Sequence, residues 1–282
     1  MHHESPVMQK IILITGCSSG IGYDAALGLR EAGWRVFASC RKAEDCDRLR
    51  ALGFDSPQLD YDDSASISKA LQTVTEATGG RLDAVFNNGA YGFPGAIEDV
   101  SRDAMRAIFE TNLFGVHELS RLVIPIMRAQ GHGRIVNCSS VLGLVAYKWR
   151  GPYVATKFAM EGLTDVFRHE MRGTDIHPIL IEPGPITSRF RQNSARRFEQ
   201  HIDWENSVLA DVYRDQVLDR LYSERGPDPF ELPARAVTKV LIRALHARRP
   251  RPRYYVTKPT YALGFARRVL SSRMLDAILS KG

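Results

Sequence analysis

Short apolar runs alternate along the chain with longer stretches in which apolar residues recur every three to four positions. The run Ile11-Ile12-Leu13-Ile14 and the segments 35–40, 82–87, 134–139 and 176–182 are too short and too evenly apolar for surface helices, and they read as buried strands. Gln58-Leu59-Asp60 ends a further short strand, the third in order, and Tyr254-Tyr255-Val256 forms a last one. Helical periodicity covers 21–32, 43–52, 66–78, 101–128 and 152–172. Repeated strand–helix units of this size predict an α/β fold: a doubly wound parallel sheet with helices on both faces and right-handed crossovers.

Two regions break the rhythm. Residues 183–233 hold no clear strand and are rich in aromatic and charged side chains, which predicts a helical insertion after the sixth strand, centred on 187–232. Residues 250–282 begin with a Pro/Arg-rich linker and end in a helical extension. The 282 residues are expected to form a single domain, 1–282, with a core at 10–189. A hydrophobic fraction of 44% and a charged fraction of 25% suit a globular protein.

Charge changes this picture in one place. The net charge is +6, but the chain from Arg243 onward carries ten Lys and Arg against Asp276 alone, so the rest is mildly acidic. A basic tail on an acidic body argues against nucleic-acid binding and for a local role. Cys17, Cys40, Cys46 and Cys138 form no CxxC pair and sit in or beside core elements, which suggests reduced thiols and a cytoplasmic location. Residues 1–10 lack the apolar stretch of a signal peptide, His2-His3 is too short for a metal site, and no run approaches the roughly 20 apolar residues of a membrane span.

Chemistry enters at the first turn. Thr15-Gly16-Cys17-Ser18-Ser19-Gly20-Ile21-Gly22 joins the first strand to the first helix. Glycines allow the tight turn and close backbone approach, and the helix N-terminus then faces a phosphate. The spacing is GxxxGxG, and in a strand–turn–helix context it predicts dinucleotide binding on a Rossmann-type sheet. An acid at the end of the second strand would bind the 2′-hydroxyl of NAD(H). Cys40 stands there, followed by Arg41 and Lys42, and a guanidinium suits a 2′-phosphate, so NADP(H) is expected over NAD(H).

The stretch Gly151-Pro152-Tyr153-Val154-Ala155-Thr156-Lys157 places Tyr153 and Lys157 on one helical face. A phenol must fall about three units from its usual pKa of about 10 to exchange protons near neutrality, or about 4 kcal/mol. An ammonium about 4 Å away at an effective dielectric of about 20 supplies about 4 kcal/mol. The pair is therefore large enough for a Tyr acid/base, although a Tyr and a Lys on an amphipathic helix have the same spacing.

With TGCSSGIG, Leu59-Asp60, Asn87-Asn88-Gly89-Ala90, Asn112, Ser140, Tyr153-Val154-Ala155-Thr156-Lys157 and Glu182-Pro183-Gly184-Pro185 in this order, the chain resembles the short-chain dehydrogenase/reductase family over 10–189. It looks most like the branch that holds 17β-hydroxysteroid and retinol dehydrogenases and bacterial aldehyde reductases. Asn-Asn-Gly-Ala departs from the family's usual Asn-Asn-Ala-Gly, which touches only the local turn. The resemblance implies that Tyr153 exchanges the proton with the substrate oxygen and that Lys157 lowers the Tyr pKa and binds the nicotinamide ribose. It implies that Ser140, with Ser139 as rival, donates to the same oxygen, and that Asn112 holds a water linking Lys157 to solvent. Gly16, Ser18, Ser19, Gly20, Ile21 and Gly22 would cradle the cofactor, and Arg41 its 2′-phosphate. Asp60 would bind the adenine and Asn88 the ribose, or each could serve a turn or strand end. Pro183, Gly184 and Ile186, with Thr187 or Ser188, would reach the carboxamide. No metal is implied.

Phe93, Val141, Leu142, Val145, Tyr147, Trp149, Phe190 and Trp204 would make an apolar substrate wall without a clamp for phosphate or carboxylate. Such a wall suits a steroid, retinoid or fatty aldehyde. Arg189, Arg191, Arg196 and Arg197 leave room for a 3-oxoacyl-carrier reductase, and a non-catalytic dinucleotide-binding sensor is the alternative of another class. A homodimer or homotetramer is expected. In 261–281, Ala262, Phe265, Ala266, Val269, Leu270, Met274, Ala277 and Ile278 fall at helical spacing, with Arg267 and Lys281 pointing away and Arg268 and Arg273 also basic. The expectation is one helix docked on its own body by that stripe; a subunit contact and a peripheral membrane contact are the alternatives.

Overall fold

The structure, a computed structural model, describes residues 8–223 and 226–280. Residues His2 and His3 and the basic Lys281 lie outside the described residues.

Six parallel strands form one sheet. In chain order they are β1 (Ile11–Ile14), β2 (Arg35–Ala38), β3 (Ala84–Asn87), β4 (His132–Cys138), β5 (Asp175–Glu182) and β6 (Arg253–Tyr255), and in space they run β2-β1-β3-β4-β5-β6. The reversal of order at β1 and β3 opens a crevice at the carboxyl ends of these strands, where ligands bind in such sheets. Ile12 and Ile14 point to one face and Ile11 and Leu13 to the other, as the period of two requires. On the first face the apolar sides of α1 (Gly20–Glu31) and α2 (Ala43–Ala51) pack through Ala25, Leu29, Cys46 and Leu49. On the second, α3 (Ser64–Thr78) packs through Ile67 and Val74.

The expected third strand is absent. Ala38 N–H donates to Asp55 and Leu59 N–H to Cys40, but Pro57 between them has no N–H to give. Only isolated bridges at Asp55 and Gln58 remain, so the insertion follows the fifth strand of the sheet. The expected single helix at 101–128 is also interrupted. It comprises α4 (Arg102–Phe109), a π-helical turn Glu110–Phe114 and α5 (Gly115–Gln130). Val116, Leu119, Val123 and Met127 of α5 pack on the second face of the sheet.

The helix α6 (Gly151–Glu170) carries Tyr153 and Lys157. The insertion is helical as expected: α7 (Phe190–His201), α8 (Ala210–Val212), a π turn Tyr213–Leu218 and α9 (Asp219–Tyr222) cover a third core of Phe93, Ile108, Phe198, Tyr213 and Leu221. The helix α10 (Arg235–His246) returns to the first face through Val237, Leu241 and Leu245.

The tail differs from the single docked helix. It forms α11 (Lys258–Val269) and α12 (Ser272–Leu279), broken where the Ser271 hydroxyl accepts the Met274 N–H and starts a new helix. The expected docking stripe largely faces outward: Phe265, Val269, Met274 and Ile278 are exposed, and the buried positions are Thr260, Gly264 and Leu275.

Candidate active site

The catalytic candidates meet at the carboxyl end of β4. Pro152 occupies the first turn of α6, where its missing N–H is no loss. One turn on, Lys157 is buried, and its Nζ donates to the Cys138 carbonyl at 2.7 Å while standing 5.5 Å from the centre of the Tyr153 ring. Ser140 follows β4 in an extended conformation and heads the short 3-10 turn Val141–Gly143. Its Oγ accepts the Leu142 N–H at 3.1 Å, which leaves the hydroxyl proton free to be donated. Ser139 is turned the other way: its buried Oγ has no hydrogen-bond partner among the described residues and faces Glu161. Of the two serines, Ser140 is the one set beside the Tyr153 phenol.

The electrostatics differ from the simple Tyr–Lys expectation. Burial pushes the Tyr153 phenol up, the Cys138 thiol adds to this, and the Ser140 hydroxyl and Arg150 guanidinium oppose it. The Lys157 ammonium is held by the Cys138 carbonyl and is itself pushed down by burial.

Asn112 sits in the π turn, fully buried. Its Oδ1 accepts the Tyr91 N–H at 3.0 Å, and its Nδ2 donates to the Tyr91 carbonyl at 2.8 Å and to Thr156 Oγ1 at 3.2 Å. The side-chain amide is thus committed to Tyr91 and Thr156.

The glycine turn is built for close approach. Gly16 has φ +70°, and a Cβ there would come within 2.8 Å of the Gly89 Cα; Gly20 has φ +58° and would meet Ser188 at 3.0 Å. Asn88 Nδ2 donates to the Thr15 carbonyl at 3.0 Å, tying the end of β3 to this turn. Ser19 precedes α1 without a side-chain cap, so the first N–H groups of the helix that follow Gly20, Ile21 and Gly22 into the turn are left for an anion. The cradle therefore fits a dinucleotide phosphate. At the end of β2 the Cys40 side chain turns inward beside Cys17 and Cys46, and burial pushes its thiol up to about 12. Arg41 is exposed there, with no ion pair among the described residues. Asp60 Oδ1 accepts the Asp62 N–H at 3.2 Å, and its carboxylate stays partly exposed. Pro183 is buried and Gly184 and Ile186 partly so. Beyond them Thr187 is bound to Glu231 at 2.6 Å, and Ser188 is the hydroxyl residue beside Gly20.

Of the expected substrate wall, Val141, Leu142, Tyr147 and Trp149 are partly exposed, and Phe190 meets the Tyr153 ring edge to face at 5.4 Å. Phe93 is a correction: it is fully buried, packed on Tyr91 and His201, and lines no open cleft. Val145 is likewise buried, and Trp204 packs on the third core. Trp149 holds φ +67°, an uncommon value for a bulky residue, and its carbonyl accepts the Gly95 N–H.

Three contributors escaped the sequence. Thr15 Oγ1 accepts the Asn88 and Gly89 N–H groups at 2.9 and 3.0 Å and lies 2.9 Å from the Tyr61 hydroxyl, which fixes the groove floor. Arg48 Nη2 donates to the Ser18 carbonyl at 2.6 Å. Arg150, at the start of α6, makes no side-chain hydrogen bond or ion pair among the described residues, and its guanidinium is pushed down to about 10 by burial and by Arg220. A TGxxxGxG threonine was a readable signal; Arg48 and Arg150 had none.

Similarity to known proteins agrees with this geometry. A family model described as short chain dehydrogenase matches residues 10–198. The chain is 38% identical over 273 residues to the uncharacterized oxidoreductase YbbO of Escherichia coli K12, covering 97% of this chain and 95% of that one. It is 30% identical over 264 residues to human 17-beta-hydroxysteroid dehydrogenase type 1, covering 89% and 78%. A short chain dehydrogenase/reductase from Burkholderia phymatum, solved in complex with NAD, superposes with a TM-score of 0.76 at 26% identity over 96% of this chain and 95% of that one. Sheet order, glycine cradle and the Ser140–Tyr153–Lys157 cluster carry the same conclusion: the chain belongs to the short-chain dehydrogenase/reductase family and is an oxidoreductase acting on CH–OH groups with a nicotinamide dinucleotide.

Proposed function

We propose that the protein is an NADP(H)-dependent oxidoreductase that interconverts an alcohol and an aldehyde or ketone on a hydrophobic substrate such as a steroid, retinoid or fatty aldehyde. One arrangement carries this: the Tyr153 ring lies between the free donor of Ser140 and the edge of Phe190, beside the half-exposed Val141, Leu142, Tyr147 and Trp149. An apolar wall around a single polar pair binds a greasy carbonyl and orients its oxygen.

The bound cofactor supplies or accepts the hydride. Tyr153 gives its proton to the carbonyl oxygen in reduction and takes it back in oxidation. Ser140 donates to the same oxygen and stabilises the charge that builds on it. Lys157 binds the nicotinamide ribose hydroxyls and, by leaving the Cys138 carbonyl for them, lowers the phenol. Asn112 shapes the π turn that leads a proton path from Lys157 outward. Asp60 binds the adenine, Asn88 lines the ribose, Ile186 and Ser188 or Thr187 meet the carboxamide, and Arg41 takes the 2′-phosphate. Tyr153→Phe deletes only the transferable proton. It is expected to keep cofactor affinity, read by fluorescence titration, and to lose nearly all turnover on a panel of hydrophobic carbonyls. Normal turnover by that variant would refute the assignment.

One observation favours a second reading, the reduction of a 3-oxoacyl carrier: Arg191, which also pairs with Asp228 at 3.8 Å, and Arg220 both push down the Arg150 guanidinium, which itself acts on Tyr153. Anionic 3-oxoacyl thioesters in the same panel separate the two.

A further inference from the structure

The tail that was expected to pack by its apolar stripe presents that stripe outward. On α11, Tyr261, Phe265 and Val269 stand four residues apart and form one line on the helix, and they are 59, 68 and 57% exposed. On α12, Met274 and Ile278 continue it at 55 and 50%. Single exposed apolar residues need no explanation, but five large ones in sequence on two consecutive helices form a patch. The opposite side is fixed to the body. Thr260 and Gly264 are buried, Gly264 lies against the Tyr255 ring, and α11 packs on the Val141–Gly143 turn next to Ser140. The patch is therefore carried by a helix that packs on the turn beside Ser140.

Its charge selects the occupant. Lys258 and Arg268 flank the α11 line and Arg273 stands at the start of α12, while Arg267 points away from the line; all four are exposed and make no ion pair among the described residues. Asp276 is the single acid on these two helices. A second copy joined by a two-fold axis would set this basic rim against itself with almost nothing to neutralise it. An anionic lipid surface complements it, because headgroup phosphates meet the basic ends while the apolar line enters the acyl boundary. The long Lys and Arg stems reach out to the headgroups as the aromatic rings sink.

We propose that α11 and α12 seat the protein on an anionic membrane surface, with the mouth of the catalytic cleft held at the lipid. This goes beyond the assigned reaction, and lipid binding is read without turnover, so its failure and the failure of the proposed function are separate results.

The test uses the full chain and sedimentation with vesicles of one part phosphatidylglycerol to two parts phosphatidylcholine, and with phosphatidylcholine alone. Binding to the anionic vesicles only, weakened by salt, is expected. Phe265→Ser with Val269→Ser should cut it about tenfold or more by removing buried apolar area. Lys258→Gln with Arg273→Gln should cut it about fivefold per charge. Both variants should keep the wild-type melting temperature and cofactor titration, since the altered side chains face solvent. Absence of vesicle binding, or equal binding by the wild type and both variants, would overturn the proposal. So would a serine variant that falls to a smaller oligomer in lipid-free sedimentation velocity, since the patch would then be a contact between copies.

Discussion

At the scale of single residues, the two adjacent serines show what spacing can and cannot decide. Thirteen positions before Tyr153 favours Ser140, and the structure adds a conformational difference: its Oγ accepts the Leu142 N–H and keeps a proton to give, while Ser139 is turned into a buried pocket with Glu161. Ser140→Ala is therefore expected to lower kcat about 10²–10³-fold, the cost of one donor to a developing oxyanion. Ser139→Ala should leave kcat nearly unchanged. Steady-state kinetics on one carbonyl substrate decides it, and a larger loss for Ser139→Ala would reverse the roles. The helix that carries Tyr153 and Lys157 and the tight glycine turn were legible, because both depend on local spacing. Lys157 bonding the Cys138 carbonyl, the burial of Phe93 and the burial that pushes down Arg150 were not, because each depends on which distant segment covers the side chain.

At the scale of elements, most strands and helices follow from apolar periodicity, and the failures have local physical causes. Pro57 interrupts the ladder that would have made a seventh strand. The π turn at Glu110–Phe114 leaves no mark in a sequence of ordinary helix formers, yet it turns Asn112 inward. Ser271 could be read as a cap only once the helix was known to break. One junction was invisible altogether. Where α6, β5 and β6 meet, Arg253 donates to Glu161 Oε2 at 3.1 Å and to Asp165 Oδ2 at 2.8 Å, and its Nε lies 3.2 Å from Glu182 Oε1. Glu182 is fully buried, and burial followed by the Glu161 charge raises its carboxyl from 4.5 to about 9. An acid raised on folding makes the native state hold a proton that the unfolded chain releases. Its stabilising effect is whole below the unfolded value and is lost as pH climbs through the folded one, so stability should fall between about pH 4.5 and about pH 9. Glu182→Gln keeps the neutral form at every pH. It is expected to melt close to the wild type at about pH 5 and above it at about pH 8. Parallel melting curves across that range would show that Glu182 is ionised in the fold.

At the scale of the whole molecule, a doubly wound parallel sheet was implied by alternation, whereas the strand order with its carboxyl-end crevice and the outward face of the tail were not. Amphipathic spacing shows that a stripe exists but not which way it turns. The crevice makes a prediction that belongs to no single residue, because its cradle is assembled from separate parts of the chain: Thr15 to Gly22, Asn88 and Gly89, and Ser188. A ligand that needs all of them binds only the folded protein. At a cofactor concentration about 100 times Kd such binding adds about 2.7 kcal/mol to stability. With an unfolding entropy of about 2.1 cal/mol/K per residue, a chain of 282 residues should then melt about 5 °C higher. At the same concentration a cofactor bound about tenfold more weakly adds about 1.4 kcal/mol, or about 2 °C. With Arg41 exposed at the end of β2 and without an ion pair among the described residues, and with Cys40 turned inward in the place of an acid, the larger shift should belong to NADPH and the smaller to NADH. Arg41→Ala removes a charged hydrogen bond of about 1–3 kcal/mol, so it should bring the NADPH shift down to about the NADH value or below it and leave the latter in place. Differential scanning calorimetry of both proteins with both cofactors reads all four shifts. A larger NADH shift in the wild type would reverse the cofactor preference, and equal losses with both cofactors in Arg41→Ala would take Arg41 out of the 2′-phosphate site.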